Sequence, residues 1–425
     1  MTPSTTPQWI AIAALILAAA SSARAADLDA DASALALQPE TSEEAGSAAT
    51  KVFVEALVSR ADQRYALGPE TISRASIDLR HASRLTASTQ AAISARVDAI
   101  HPSDTRIGGA VLSLREAYAG WQNEAANQVL QFGRINLRDG PGYGYNPTDF
   151  FRDGTLRTFT TSDPKTQREL RLGSVMLRGQ RLWSGGSVAL LLSPKLRTSP
   201  SDEGFSADLG ATNNRNRGAL SVGKRISEKL DTQWLLYKED GASARVGANL
   251  SALVSDAAVL HAEWTYGREP DLLARAWQLP GEDSARNRVV LGLTYTAASR
   301  LSVTAEYQYN GFALDRRGWQ MLSQVGPPAQ AAYYGAAAFL QDNASRGAWL
   351  LYAMQPSLWL KNLDLTALLK FNQSDRSRMV WLDLRYRFDK ADLALQLQRN
   401  TGASASEFGI TPVKNAVSVV GVMYY

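Results

Sequence analysis

From Lys51 onward, polar and apolar residues alternate along the chain. Leu301, Val303, Ala305, Tyr307 and Tyr309 are interleaved with Ser302, Thr304, Glu306, Gln308 and Asn310. Val380, Leu382, Leu384, Tyr386 and Phe388 oppose Asp383, Arg385 and Arg387, and Leu393, Leu395 and Leu397 oppose Asp392, Gln396 and Gln398. The same alternation sets Ala75, Ile77 and Leu79 against Arg74, Asp78 and Arg80, Ile93 and Val97 against Arg96 and Asp98, and Leu260, Ala262 and Trp264 against His261 and Glu263. A period of two sends successive side chains to opposite faces of a strand, so each stretch predicts a strand with one apolar and one polar face. About eighteen such stretches can be counted, the sixth starting near Thr166 and the fifteenth near Leu358, with sixteen as the alternative count.

The spacers sort by parity. After even-numbered stretches they are short: Ser83-Arg84-Leu85, Ser227-Glu228-Lys229, Ala297-Ala298-Ser299, Gln355-Pro356-Ser357 and Asp389-Lys390. Every long spacer follows an odd-numbered stretch: 139–165, 194–217, 268–287, 311–345 and 402–415. A transmembrane antiparallel β-barrel has this asymmetry, with short periplasmic turns at one rim and long extracellular loops at the other. The predicted fold is therefore all-β, one closed barrel over residues 51–425.

The remaining composition fits that reading. The apolar run Trp9–Ala20, followed by Ala23-Arg24-Ala25, predicts a cleaved export signal over 1–25. Residues 26–50 carry six acidic residues with no Lys, Arg or aromatic residue, and predict a flexible acidic leader. Asp27, Asp29 and Asp31 are spaced like calcium ligands, but the glycine turn and distal Glu of such a loop are missing. A mean hydropathy of −0.21 excludes a helical membrane protein, and the absence of cysteine costs a closed barrel nothing, because its wall has no free edges. A net charge of +4 is too small for this length to favour nucleic-acid binding. The predicted location is the outer membrane of a Gram-negative cell, with membrane lipid and lipopolysaccharide, the barrel-insertion machinery and small polar solutes as partners.

A barrel this wide encloses a lumen, and its polar faces should line it. Candidate selectivity residues are Arg74, Arg80, Arg96, Arg134, Asn136, Arg138, Arg385 and Arg387, with Glu263, Glu306 and Asp383 of opposite sign; Arg115, Asp78, Asp98 and Asp364 share those faces. The arginine excess predicts a preference for anionic solutes, while pairing across neighbouring strands would leave these charges only hydrating the wall. The most distinctive segment runs from Gly133 to Arg152, with Gly140, Gly142 and Gly144 followed by Asn146-Pro147-Thr148-Asp149. Its Tyr143, Tyr145, Asn146, Asp149, Phe150 and Arg152 predict a constriction loop folded into the lumen. The Phe150-Phe151 pair would pack on the wall while Asp149 and Arg152 stay wet. The Ala-rich stretch after Pro327-Pro328, with Tyr333-Tyr334, predicts a short helix or plug.

The G-R-x5-G segment followed by N-P-x-D, together with the apolar-alternating C-terminal stretch ending at Tyr425, resembles large outer-membrane barrels of the specialised-porin and alginate-export-like kind. That resemblance implies a channel with an ordered inward loop. The predicted function is a pore for passive or loop-gated transport of small polar solutes, anionic or carbohydrate-like ones among them. The alternatives are an export channel for a polymer or lipid-linked product, and a non-conducting structural or receptor barrel. No enzyme is expected: His81, His101 and His261 are far apart, and His81 beside Ser83 lacks a third, orienting group. No cofactor or metal motif stands out.

Overall fold

The computed structural model describes residues 49–425 apart from 66–67, 105–106 and 281–282; the predicted export signal and most of the acidic leader lie outside the described residues. Eighteen strands form one sheet. They are β1 Ala49–Gln63, β2 Pro69–Arg84, β3 Thr89–Asp104, β4 Gly108–Gln122, β5 Gln128–Ile135, β6 Ser174–Trp183, β7 Gly186–Ser193, β8 Arg217–Ser227 and β9 Leu230–Glu239. The other half comprises β10 Arg245–Ser255, β11 Ala258–Glu269, β12 Ser284–Thr296, β13 Ser302–Asn310, β14 Gly347–Gln355, β15 Leu363–Asn372, β16 Arg378–Arg387, β17 Ala391–Thr401 and β18 Val413–Tyr424. Each strand pairs antiparallel with its neighbours in the chain, and β1 pairs with β18 in the register Phe53↔Tyr424 to Ala61↔Ala416. That seam closes the ring. It is reinforced by Tyr425 and Val52, whose backbones exchange hydrogen bonds of 2.9 and 3.1 Å, and by an edge-to-face contact of Phe53 with Tyr424 at 5.5 Å.

Alternation explains why these residues form a barrel wall. In β9, Gln233, Leu235 and Tyr237 are buried inside while Trp234 and Leu236 are exposed on the outer face; β7 does the same with Ala189 and Leu191 against Leu190 and Leu192. Exposed Phe132, Leu220, Trp264, Leu291, Leu293, Trp349, Leu351, Leu395 and Val419 extend this apolar outer surface around the ring. A soluble protein does not leave so large an apolar surface open to water, whereas lipid tails cover it at no cost.

Among the described residues six helices lie in the long connections: α1 Pro164–Glu169, α2 Leu209–Thr212, α3 Leu272–Trp277, α4 Arg316–Leu322, α5 Pro327–Leu340 and α6 Glu407–Ile410. The plug expected after Pro327 is thus α5. Two strand starts differ from expectation. Thr166 lies in α1, because Asp163 caps that helix by accepting from Thr166 N at 3.1 Å and Pro164 occupies its first turn; β6 begins only at Ser174. Leu358 lies in a turn closed by Leu358 N to Leu363 O at 2.8 Å, with positive φ at Ser357 and Asn362, so β15 begins at Leu363. The leader boundary also moves, since Ala49 and Thr50 already pair with Ala82 and His81 of β2.

Candidate functional site

The connection after β5, residues 136–173, does not stay at its own rim. Its glycine-rich segment reaches across the barrel to β11 and β13, which lie well round the ring from β4 and β6, the partners of β5. Two buried carboxylates receive it. Glu263 of β11 accepts from Gly142 N at 2.7 Å, Asn146 Nδ2 at 2.9 Å, and Thr148 N and Oγ1 at 3.2 and 2.7 Å. Glu306 of β13 accepts from Tyr143 N, from Gly144 N at 2.9 Å and from Gln308 Nε2 at 3.0 Å, and its other neighbour is His261 Nε2 at 2.9 Å. Backbone amides must come very close for this geometry. Gly140 has φ +89°, and a Cβ there would fall 2.4 Å from Glu263 Oε1; one on Gly142 would fall 2.9 Å from the same atom. Only glycine admits both the conformation and the approach.

Beyond Thr148 the segment is tied down on all sides. Phe150 stacks on Tyr237 of β9 with ring centroids 4.7 Å apart, Phe151 meets the same ring edge-on at 5.8 Å, and Arg217 and Arg245 lie over the two phenylalanines. Asp149 pairs with Arg171 at 2.5 Å. Arg152 donates to Asn146 O at 2.6 Å and to Leu340 O at 3.1 Å, and pairs with Asp342 at 3.4 Å. Further along, Thr160 O accepts from Arg74 of β2, Ser162 donates to Gln398 of β17, and Asp163 accepts from Tyr352 of β14. The connection therefore touches widely separated parts of the wall.

A second inward element comes from residues 311–346. Its helices α4 and α5 pack with α3 around Leu272, Ala313, Leu322, Tyr333, Ala337 and Ala344. The two connections meet at Asp342, which takes Arg152, Arg288 of β12 at 3.1 Å and the hydroxyl of Tyr145. Gly154 N to Phe339 O at 2.9 Å and Gln341 Nε2 to Arg152 O at 2.6 Å complete the junction. Burial works against the Asp342 charge, yet Arg288 and Arg152 hold its carboxyl below the usual range. The same burial and the Asp342 carboxylate push the Tyr145 hydroxyl well up.

No family model matches the chain, and no curated protein resembles it in sequence. Solved structures do resemble it. Acinetobacter baumannii OccAB1 superposes with a TM-score of 0.58 at 10% identity, covering 91% of this chain and 99% of that one. For Pseudomonas aeruginosa OpdL the values are 0.54, 11%, 89% and 98%, and for Pseudomonas aeruginosa OccK8 (OprE) 0.53, 10%, 89% and 98%. The fold is the eighteen-stranded barrel of these channels.

The candidate residues on the strands fall into paired groups. On β1 to β4, Arg96 holds Asp98 at 2.8 Å and Glu55 at 2.9 Å, Arg74 pairs with Glu55, Arg115 donates to Asp78 at 2.7 Å, and Arg80 lies 3.4 Å from Asp78. On β15 to β17, Arg385 pairs with Asp383 at 3.0 Å and Asp392 at 3.4 Å, and Arg387 with Asp364 at 2.5 Å. The candidate selectivity residues Arg134, Asn136 and Arg138 have separate partners. Arg134 donates to the carbonyls of Gly173 and Ala207, Asn136 lies past the end of β5 and donates to Arg168 O and Glu169 O, and Arg138 is half-buried with Glu116 as a charged neighbour. Asp149 and Arg152 are buried rather than wet: Arg171 lies against one Asp149 oxygen, and Arg152 is taken by Asp342 and by the carbonyls of Asn146 and Leu340.

Sequence reading missed Asp342, Arg171 and Arg168. Arg168 donates to the carbonyls of Asp139 at 2.8 Å and Gly140 at 3.2 Å, bracing the glycine turn. These residues sit in connections without periodicity, where partners are set by tertiary packing. Among the described residues no group of three or more His, Cys, Asp or Glu is arranged to hold a metal ion.

Proposed function

We propose that the chain is an outer-membrane channel that passes small polar solutes through a lumen narrowed by residues 140–152 and by the α4–α5 element. The observation that carries this is the segment 140–148 crossing the barrel interior onto Glu263 and Glu306 while the wall stays a closed, lipid-compatible ring. Two inward elements across one lumen favour small solutes over a polymer. Among the paired candidate arginines of β1 to β4 and β15 to β17, the side chains of Arg80, Arg385 and Arg387 keep the most exposure, and they are the arginines a passing anion would meet. Arg74, Arg96 and Arg134 would act indirectly, by holding the wall and the connection in shape.

The test is single-channel recording in planar bilayers. Deleting residues 143–152 should raise conductance several-fold, and replacing Arg80, Arg385 and Arg387 by Ala should lower anion preference. A correctly inserted barrel with unchanged conductance after the deletion would sink the constriction.

A further inference from the structure

The two sides of the lumen differ in chemistry. Towards the short-turn rim, the wall from β6 to β9 encloses a cavity of about 490 Å³ beneath Leu137 and Asp139. Its lining combines amides, hydroxyls and apolar groups with the charged side chains of Asp139, Arg178, Lys224, Arg225 and Asp231. Gln233 Nε2 donates to Ser221 Oγ at 2.9 Å and Gln233 Oε1 accepts from Asn249 Nδ2 at 2.7 Å; Gln180, whose Oε1 accepts from Arg178 at 2.7 Å, also lines the cavity, and Ser187 adds a hydroxyl. Ala189 and Leu191 give an apolar floor.

The cavity's charges largely cancel. Arg225 is paired with Asp231 at 2.9 Å and Arg178 has Asp139 as its charged neighbour, while Lys224, which borders the cavity, shares the alternate positions of the exposed Leu220 and Val222. The wall from β1 to β4, by contrast, carries closely spaced ion pairs throughout.

We infer that this cavity is a subsite for a neutral, hydroxylated solute of monosaccharide to disaccharide size; the inference rests on the channel reading above and names its solute class. Rings with hydroxyl edges and apolar C–H faces match a lining that offers donors, acceptors and an apolar floor with little net charge. An anion of the same size would find the cavity's arginines already engaged, Arg225 with Asp231 and Arg178 with Gln131 and Gln180. A volume of about 490 Å³ suits such a solute.

The probes are glucose, and gluconate as its anionic counterpart of similar size. Saturation-transfer NMR on the detergent-solubilised, heat-modifiable barrel reads binding directly, and ion-current reduction in bilayers reads it in the pore. Glucose should bind and reduce the current, gluconate should do neither better, and Gln233→Leu and Ser187→Val should each weaken glucose binding by roughly five- to ten-fold, the worth of one hydrogen bond. Two variants are used because either alone could disturb folding. A conducting barrel that ignores glucose, prefers gluconate, or binds glucose equally well in both variants overturns the subsite alone. Glucose binding to a barrel that never conducts overturns the channel reading and leaves the subsite standing.

Discussion

The connections at 136–173 and 311–346 occupy one lumen by different means. The first has little helix and little apolar core at its tip; its glycine turn is held by hydrogen bonds from its own amides to Glu263 and Glu306, at positions where a side chain would not fit. The second carries its own core, in which α3, α4 and α5 bury Leu272, Leu322, Tyr333 and Ala337 against one another. The difference lies in what each can tolerate. A segment seated by directional bonds keeps its place to within tenths of an ångström but depends on two carboxylates, whereas a segment seated by apolar packing survives the loss of any single contact and is positioned more loosely.

The sharpest way to break that contrast is to remove the seat. Replacing Glu263 and Glu306 together by Ala removes the acceptors for the backbone of residues 142–148, at roughly 1.5–3 kcal/mol per hydrogen bond to a charged group. The expected outcome is release of the first connection, seen as a several-fold conductance increase and new protease cleavage near Arg152, with 311–346 still protected from hydrogen exchange. Loss of protection in both connections would mean that they form one unit. Next in size is Asp342→Ala, which leaves Arg152 and Arg288 without a shared carboxylate and should cost about 3–5 kcal/mol of docking. Here both connections should loosen together, which hydrogen exchange would show as matched acceleration.

A smaller effect is expected from Tyr333→Phe. The hydroxyl donates to Ala344 O at 2.6 Å and accepts from Leu314 N at 3.0 Å, so its loss should cost about 1–3 kcal/mol and be felt only in the helical element. Exchange that accelerates equally in 136–152 would contradict that confinement. The smallest effect concerns pH. Burial and the nearby Asp149 push the Asp139 carboxyl up to about 7, against Arg178 and Arg168. The docked state therefore holds its proton more tightly than a released segment would. Docking should be favoured in acid and weaken as pH rises from the ordinary carboxylate range through about 7. Conductance or exchange at 136–152 measured across that window should lose this component of its slope in the Asp139→Asn variant; an identical slope would assign it to another group.

The wall was legible in the sequence because its rule is local: a residue's face follows from its parity, and spacer length follows from which rim it joins. Hence the strand count and the inward placement of Glu263, Glu306 and Asp383 could be read directly. The two misplaced strand starts arose where local chemistry overrode alternation, at the Asp163-Pro164 cap and at the turn through Ser357 and Asn362. The inward course of the glycine segment was readable from its composition. Its destination was not, since nothing in Gly140 to Thr148 indicates that strands more than a hundred residues later hold the matching carboxylates. Asp149 and Arg152 were misjudged for the same reason, as a charge is judged wet until its partner is known.

The β1–β18 seam bears on how the barrel must be assembled. All other pairings join strands adjacent in the chain and can form as hairpins, whereas Phe53 meets Tyr424 only after everything between them has been laid down. Until then β1 and β18 are open edges, each a row of unpaired amides and carbonyls able to recruit another strand. The sequence separation is also greatest for this pairing, so it forms last. Substitutions at the seam should therefore affect the yield of inserted barrel far more than the properties of barrels already closed.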